Sequence, residues 1–226
     1  MPLLPFFLSP STDTVAEPSS KDGRGGGEER EETEMFARTE RLLLRPGWRE
    51  DAPALLEAIA DEAIVRNLAK APWPYTMADA EAFLGAERGP TEFASLIFRR
   101  TPGSPELVGC AGLGRTPEGE VELGYWIAKP YWGLGYASEA AEAVIEIARR
   151  GLRLEKLVAS HFTDNPASGR VLEKLGFRPT GQFAKRYSVG RGEAAACKLF
   201  ELDLQEEAIA APEEDMDFVK AFCVAA

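Results

Sequence analysis

Between residues 120 and 162 the chain changes its period twice, and no other feature restricts its fold as much. EVELGYWIA (120–128) alternates as a strand does. Ala137, Ala140, Ala141, Val144, Ile145 and Ala148 then fall on one stripe of a helix over 136–150, and LEKLVASHF (154–162) returns to strand. A strand, a crossover helix and a second strand pair in parallel, which predicts an α/β chain with a mixed sheet.

The elements before this unit read as antiparallel. ERLLLR after Thr39 is a short strand, Asp51 with Pro53 starts a helix over 52–66, and Thr76 with Asp79 opens a second helix carrying Ala80, Phe83 and Leu84. FASLIFRR (93–100), ELVGCAGLG (106–114) and 120–128 form a meander broken by Pro and Gly turns. After residue 162, Asn165 or Asp164 caps a helix that has Pro166 near its start, Val171, Leu172 and Leu175 on one face, and Gly176 at its end. Strands at 177–185 and 194–204 close the domain, giving about seven strands with flanking helices.

Charge excludes several function classes. Residues 1 to 35 hold 8 acidic and 3 basic groups and residues 205 to 226 hold 6 and 1, so nearly all of the net −11 lies in two tails. The balanced middle argues against nucleic-acid and anionic-membrane partners. Residues 1–37, with their GRGGGEEREE block, read as a disordered tail, 38–204 as one domain, and 205–226 as an acidic C-terminal tail. Met35 is an alternative start that an N-terminal mass would test. MPLLPFFLSP is short, Pro-interrupted and lacks a basic flank, so it reads neither as a signal peptide nor as a span. Cys110, Cys197 and Cys223 show no metal or disulfide spacing, so no metal is expected and a reducing cytoplasm is.

The chemistry is signalled at the strand–helix junction, where Gly133 and Gly135 precede the helix. Glycines there let the chain turn tightly and bring amides close to a ligand, while the helix start offers free N–H groups and a positive dipole end. Such a site wants an anion. GxG alone is weak, since a plain turn explains it. Here it follows the cluster Tyr125, Trp126, Pro130, Tyr131 and Trp132, and a second helix start, DNPASGRVLEKLGF (164–177), follows one strand later.

Together these residues resemble the GNAT superfamily of acetyltransferases, especially its RimJ/RimL-type branch, which acetylates N-termini of ribosomal proteins. The pyrophosphate signature Arg/Gln-x-x-Gly-x-Gly/Ala falls on Trp132 to Ala137, with Trp at the first position. Asn165 to Ser168, followed by Leu172, Lys174, Gly176 and Phe177, is similar to the branch pattern N-x-x-S-x-x-x-L-x-K-x-G-F. PWPYTMADAEAFL (72–84) resembles its substrate-side helix.

The resemblance, covering about 38–204, implies acetyl-CoA as co-substrate and a GNAT-like sheet splayed between the fourth and fifth strands. It places pantetheine in the gap and pyrophosphate on residues 133 to 138. The cofactor-binding set it implies is Ile127, Ala128, Trp132, Gly133, Leu134, Gly135, Tyr136, Ala137, Ser138, Asn165, Ser168, Arg170 and Lys174. It also implies direct transfer to an amine through a ternary complex. That chemistry asks for a neutral amine, a stabilised oxyanion and a protonated thiolate.

Backbone amides near Ile127 are the oxyanion donors the resemblance implies. Many relatives protonate the thiolate with a tyrosine where this chain has Leu172; Ser168, one turn into the same helix, is the substitute. Asn165 either orients the cofactor or is simply an N-cap. Strand alternation puts Val121, Leu123, Tyr125 and Ile127 on one face and Glu122, Gly124 and Trp126 on the other. Glu122 is thus a candidate base through water or a solvated strand residue. A water or Tyr187 are the alternatives, since residues 185–187 hold no carboxylate. His161, the only histidine, reads as structural more readily than as a base.

The sequence therefore predicts an N-acetyltransferase acting on a primary amine, with a protein or peptide α-amine first. A small-molecule amine is the alternative acceptor, and a weak acyl-CoA-binding module is the alternative class. Either a monomer or a homodimer is compatible.

Overall fold

A computed structural model describes residues 35–205; the tail sequences at 1–34 and 206–226 lie outside the described residues. Eight strands form one sheet: β1 (Ala37–Arg38), β2 (Leu42–Pro46), β3 (Phe93–Arg99), β4 (Glu106–Arg115), β5 (Val121–Ile127), β6 (Lys156–Phe162), β7 (Arg178–Ser188) and β8 (Glu193–Asp203). Their spatial order is β1-β2-β3-β4-β5-β6-β8-β7, with every pair antiparallel except β5–β6. The eighth strand is β1, whose two residues are too few to show alternation.

The crossover helix α4 (Tyr136–Glu146) packs with α5 (Pro166–Lys174) on one face of the sheet. The other face carries α1 (Ala52–Ile59), α2 (Glu62–Val65) and α3 (Met77–Leu84). Alternation in β3 serves both layers: Ile97 faces the α4 side, while Leu96 and Phe98 face α1 and α3. No helix among the described residues is long and apolar enough to cross a membrane.

Three local expectations are corrected. The helix over 52–66 is two helices, because Ala60 leaves helical geometry (ψ 59°) and Asp61 is extended, its carboxylate capping the Ala63 amide at 2.8 Å. Asp51 does not cap: it is itself helical, and its carboxylate accepts from the Trp48 amide at 2.8 Å and the Arg45 fork at 2.7 and 2.8 Å. The crossover helix stops being α-helical at Glu146 and continues as a wider turn through Ile147–Gly151. Thr76 and Asp79 do form the reciprocal capping box at the start of α3.

Candidate active site

Two glycines and one diverted carboxylate build the anion cradle. Gly133 and Gly135 sit at φ +77° and +84°, a region that side chains disfavour. Gly135 caps α4 without any side chain bonding the first-turn amides, so those amides and the dipole end stay available. Glu139, in the same turn, would repel an anion. It is instead held sideways, accepting from Thr39 Oγ1 at 2.5 Å and from the Arg41 amide and Nε at 2.9 and 2.7 Å. Burial alone would raise its carboxyl, but these bonds outweigh that and hold it below the usual range. Arg41 also donates to the Leu134 carbonyl at 2.9 Å, bracing the glycine turn. Nothing in the helix-start pattern points to Arg41, because its partners lie 93 and 98 residues away.

The sheet opens beside the cradle. β5 and β6 pair at a single register point, Glu122 with Val158, and part beyond it. On the other edge of β5, the Ala128 amide donates to the Val108 carbonyl at 2.8 Å. Antiparallel bonding alternates, so the neighbouring Ile127 amide points away from β4, into the gap. The β4–β5 register is unshifted, so alternation aims this amide without a bulge. Ala128, expected in the cofactor-binding set, gives its amide to β4 instead. Trp132 Nε1 donates to the Ile127 carbonyl at 2.6 Å and so fastens the end of the strand.

One cavity of about 730 Å³ runs from this cradle through the gap to a wall around residues 63–72. Of the residues expected at the site it is lined by Glu122, Ile127, Trp132, Gly133, Gly135, Tyr136, Ala137, Ser138, Asn165, Ser168, Arg170 and Lys174. Leu134 is half exposed outside it, its carbonyl taken by Arg41. Arg170 and Lys174 stand exposed on α5, where they place positive charge at the mouth. Glycine turn, open amides, gap and flanking cations together fit a phosphate-bearing thioester.

Glu122 is buried rather than solvated. Its carboxylate accepts from Arg186 Nη1 at 2.6 and 2.7 Å and from Ser160 Oγ at 2.8 Å. Also on the cavity wall, Ser168 Oγ lies 2.9 Å from the Tyr125 hydroxyl. Asn165 starts α5 without its side chain bonding the helix amides. A carboxylate, a strand-end amide and a hydroxyl pair thus share one cavity.

Comparison with known proteins agrees with this geometry. Residues 41–178 match the Acetyltransferase (GNAT) domain. The chain belongs to the GNAT acetyltransferases. It is 30% identical over 153 residues to the uncharacterized N-acetyltransferase YnaD of Bacillus subtilis, spanning 67% of this chain and 87% of that one. The [ribosomal protein uS5]-alanine N-acetyltransferase of Escherichia coli is 30% identical over 95 residues, 41% of this chain and 48% of that one. A GNAT-family acetyltransferase structure from Bacillus anthracis superposes with a TM-score of 0.64 at 27% identity, covering 76% of this chain and 99% of that one. This GNAT protein is an acetyl-CoA-dependent N-acetyltransferase, and acetyl-CoA supplies its activated acetyl group and thiolate leaving group.

In this acetyltransferase the two other base candidates sit in different surroundings. Tyr187 is 53% exposed on the outer face of β7, while its neighbour Arg186 turns inward to Glu122. His161 lines the cavity but has Nδ1 2.8 Å from the Phe162 carbonyl, its ring lies 5.4 Å from that of Phe200 at a 40° tilt, and a Cβ at Gly169 would stand 2.7 Å from its Nε2, so it packs α5 onto β6.

The far end of the cavity is closed from the C-terminal side. At the tip of the β7–β8 hairpin, Ser188 Oγ donates to the Leu68 carbonyl at 2.8 Å and the Val189 amide to the Ala69 carbonyl at 2.9 Å. Arg191 donates to the Arg66 carbonyl and, through its fork, to Asp164 at 2.8 Å on both oxygens.

Lys70 lies in this wall, and burial lowers its pKa from 10.5 to about 7, with Glu92 and Glu122 pulling it partly back. Below pH 7 folded and unfolded chains both hold the proton and the folded state carries the full desolvation penalty. Between pH 7 and 10.5 the unfolded chain holds more protons, so stability should rise with pH. Thermal unfolding of Lys70→Met should lose part of that rise; parallel curves for variant and parent would count against it.

Proposed function

We propose that this acetyltransferase transfers acetyl groups to protein or peptide α-amines by direct attack in a ternary complex. The observation that carries the reading is that Glu122, Ile127 and Ser168 line one cavity where β5 and β6 part. The Ile127 N–H stabilises the carbonyl oxygen as charge develops there. Glu122 takes the amine proton through water, Ser168 returns a hydrogen to sulfur, and Asn165 orients the thioester arm. Residues 133 to 138 hold the pyrophosphate, with Trp132 closing the turn, while Arg170 and Lys174 meet the remaining phosphate.

Acceptor choice follows from how occupied Glu122 is. Arg186 and Ser160 already claim its carboxylate oxygens. An α-amine, with an unperturbed pKa of about 7.7 to 8.0 against about 10.4 for lysine, needs the least help. The E. coli relative named for ribosomal protein uS5 alanine acetylation supports a protein acceptor.

Free-thiol release from acetyl-CoA should be fastest with peptides bearing a free N-terminus. Blocked peptides carrying only lysine, polyamines and aminoglycosides should be at least about tenfold slower in kcat/KM, the discrimination that roughly 1.4 kcal/mol provides. Faster turnover on a small amine would replace the acceptor. CoA binding with no turnover on any amine would leave a binding module.

A further inference from the structure

The helix after Asn165 carries no tyrosine at position 172, where Leu172 is sunk in the core at 1% exposure. A phenol nonetheless reaches this helix from another element. Tyr125, in the middle of β5, packs against the core under α4 and α5. Its hydroxyl lies 2.9 Å from Ser168 Oγ and 3.2 Å from the Ser168 carbonyl, and both residues line the cavity.

We propose that Tyr125 is the positioning residue for proton delivery: its phenol donates to Ser168 Oγ, turning the serine hydrogen into the cavity toward the departing sulfur. The proposal rests on the assignment of Ser168 as the acid. A serine hydroxyl has one hydrogen and can accept two more. Near a helix start, left to itself, it bonds a nearby backbone group, which would hide that hydrogen from the cavity. The phenol has one hydrogen and two acceptors in reach, Oγ at 2.9 Å and the Ser168 carbonyl at 3.2 Å; given to the nearer, it fills an acceptor site on Oγ. Burial pushes the Tyr125 hydroxyl up to about 12, so it stays a donor across the neutral and mildly alkaline range.

In the transfer, nitrogen bonds the acetyl carbon and the C–S bond breaks with its electron pair going to sulfur. Sulfur takes the hydrogen of Ser168 Oγ, Ser168 takes that of Tyr125, and the proton shed by the amine returns to Tyr125 through solvent. The phenol that the helix lacks is thus replaced from the facing strand, through a serine.

Three full-length variants test this: Tyr125→Phe, Ser168→Ala and both together, each checked for parental secondary structure by circular dichroism. The first readout is the ultraviolet absorbance of the bound CoA thiolate against pH, with CoA alone as probe. A hydrogen donated to sulfur favours the thiolate, so loss of the donor should move the midpoint up by about one pH unit in Tyr125→Phe and in Ser168→Ala. The second readout is acetyl transfer to an N-terminal peptide. kcat should fall about 10- to 100-fold in Tyr125→Phe, with KM for acetyl-CoA changed less than about threefold, and the double variant should be no slower than Ser168→Ala. Parental midpoint and kcat in Tyr125→Phe beside an impaired Ser168→Ala would reduce Tyr125 to packing and leave the acid assignment standing. Independent, multiplying losses would also overturn the coupling. Parental behaviour of Ser168→Ala would remove the acid assignment, and the role of Tyr125 with it.

Discussion

Replacing Arg186 with methionine should destabilise the protein by about 3 to 5 kcal/mol, the cost of breaking a buried ion pair from one side. The Glu122 side chain is 8% exposed and that of Arg186 24%, and one guanidinium nitrogen serves both carboxylate oxygens. Without it, the buried carboxylate keeps Ser160 and loses its charged hydrogen-bond partner. At about 2 to 4 °C per kcal/mol for a domain of this size, the melting temperature should drop by roughly 6 to 20 °C. The double replacement Glu122→Met with Arg186→Met removes the charge as well and should recover most of the loss, because an apolar pair of similar volume has no unpaired ion. Calorimetry of the two variants decides it. A single variant within 1 kcal/mol of the parent, or a double variant no better than the single, would contradict the buried-pair account.

Gly112→Ala should be nearly as damaging for a different reason. A Cβ there would stand 2.0 Å from the Phe93 carbonyl oxygen and 2.9 Å from the Ala94 Cα, both backbone atoms of β3 that cannot rotate away. β3 and β4 would have to move apart in the middle of the sheet, a cost of about 3 kcal/mol or more at the upper end of overpacking effects. The control lies directly across the ladder. Gly124 pairs with Gly112, yet a Cβ at 124 meets nothing within 4 Å. Gly124→Ala should therefore change stability by less than about 1 kcal/mol. Equal melting temperatures for the two alanine variants would mean that β3 yields more easily than its geometry implies.

The fold was legible wherever a signal was local. The period changes around α4, the capping box at Thr76 and the left-handed Gly176 need only their neighbours, and each sits where the pattern puts it. The break at Asp61 was hidden because apolar residues continue through it from Ile59 to Ile64, so periodicity outvoted one capping carboxylate. Site partners were least visible. Strand alternation correctly separates Tyr125 from Glu122, but it also implies that they serve different surfaces. Where β5 and β6 part, one cavity is open to both faces of the strand, and both residues line it. Arg186 and Arg41 act across 64 and 98 residues, and no spacing rule spans such distances.

The fastening of the hairpin tip bears on how the cavity lining can change. Ser188, Val189 and Arg191 each grip a backbone carbonyl, those of Leu68, Ala69 and Arg66. Carbonyls are present whatever the side chain. The loop that walls this end of the cavity can therefore exchange its side chains, Lys70 included, while the clasp that holds it keeps its grip. The glycine turn at residues 133 to 138 has no part in that clasp, which reaches only Asp164 before α5. One end of the cavity is thus free to change its lining while the glycine turn at the other stays as it is.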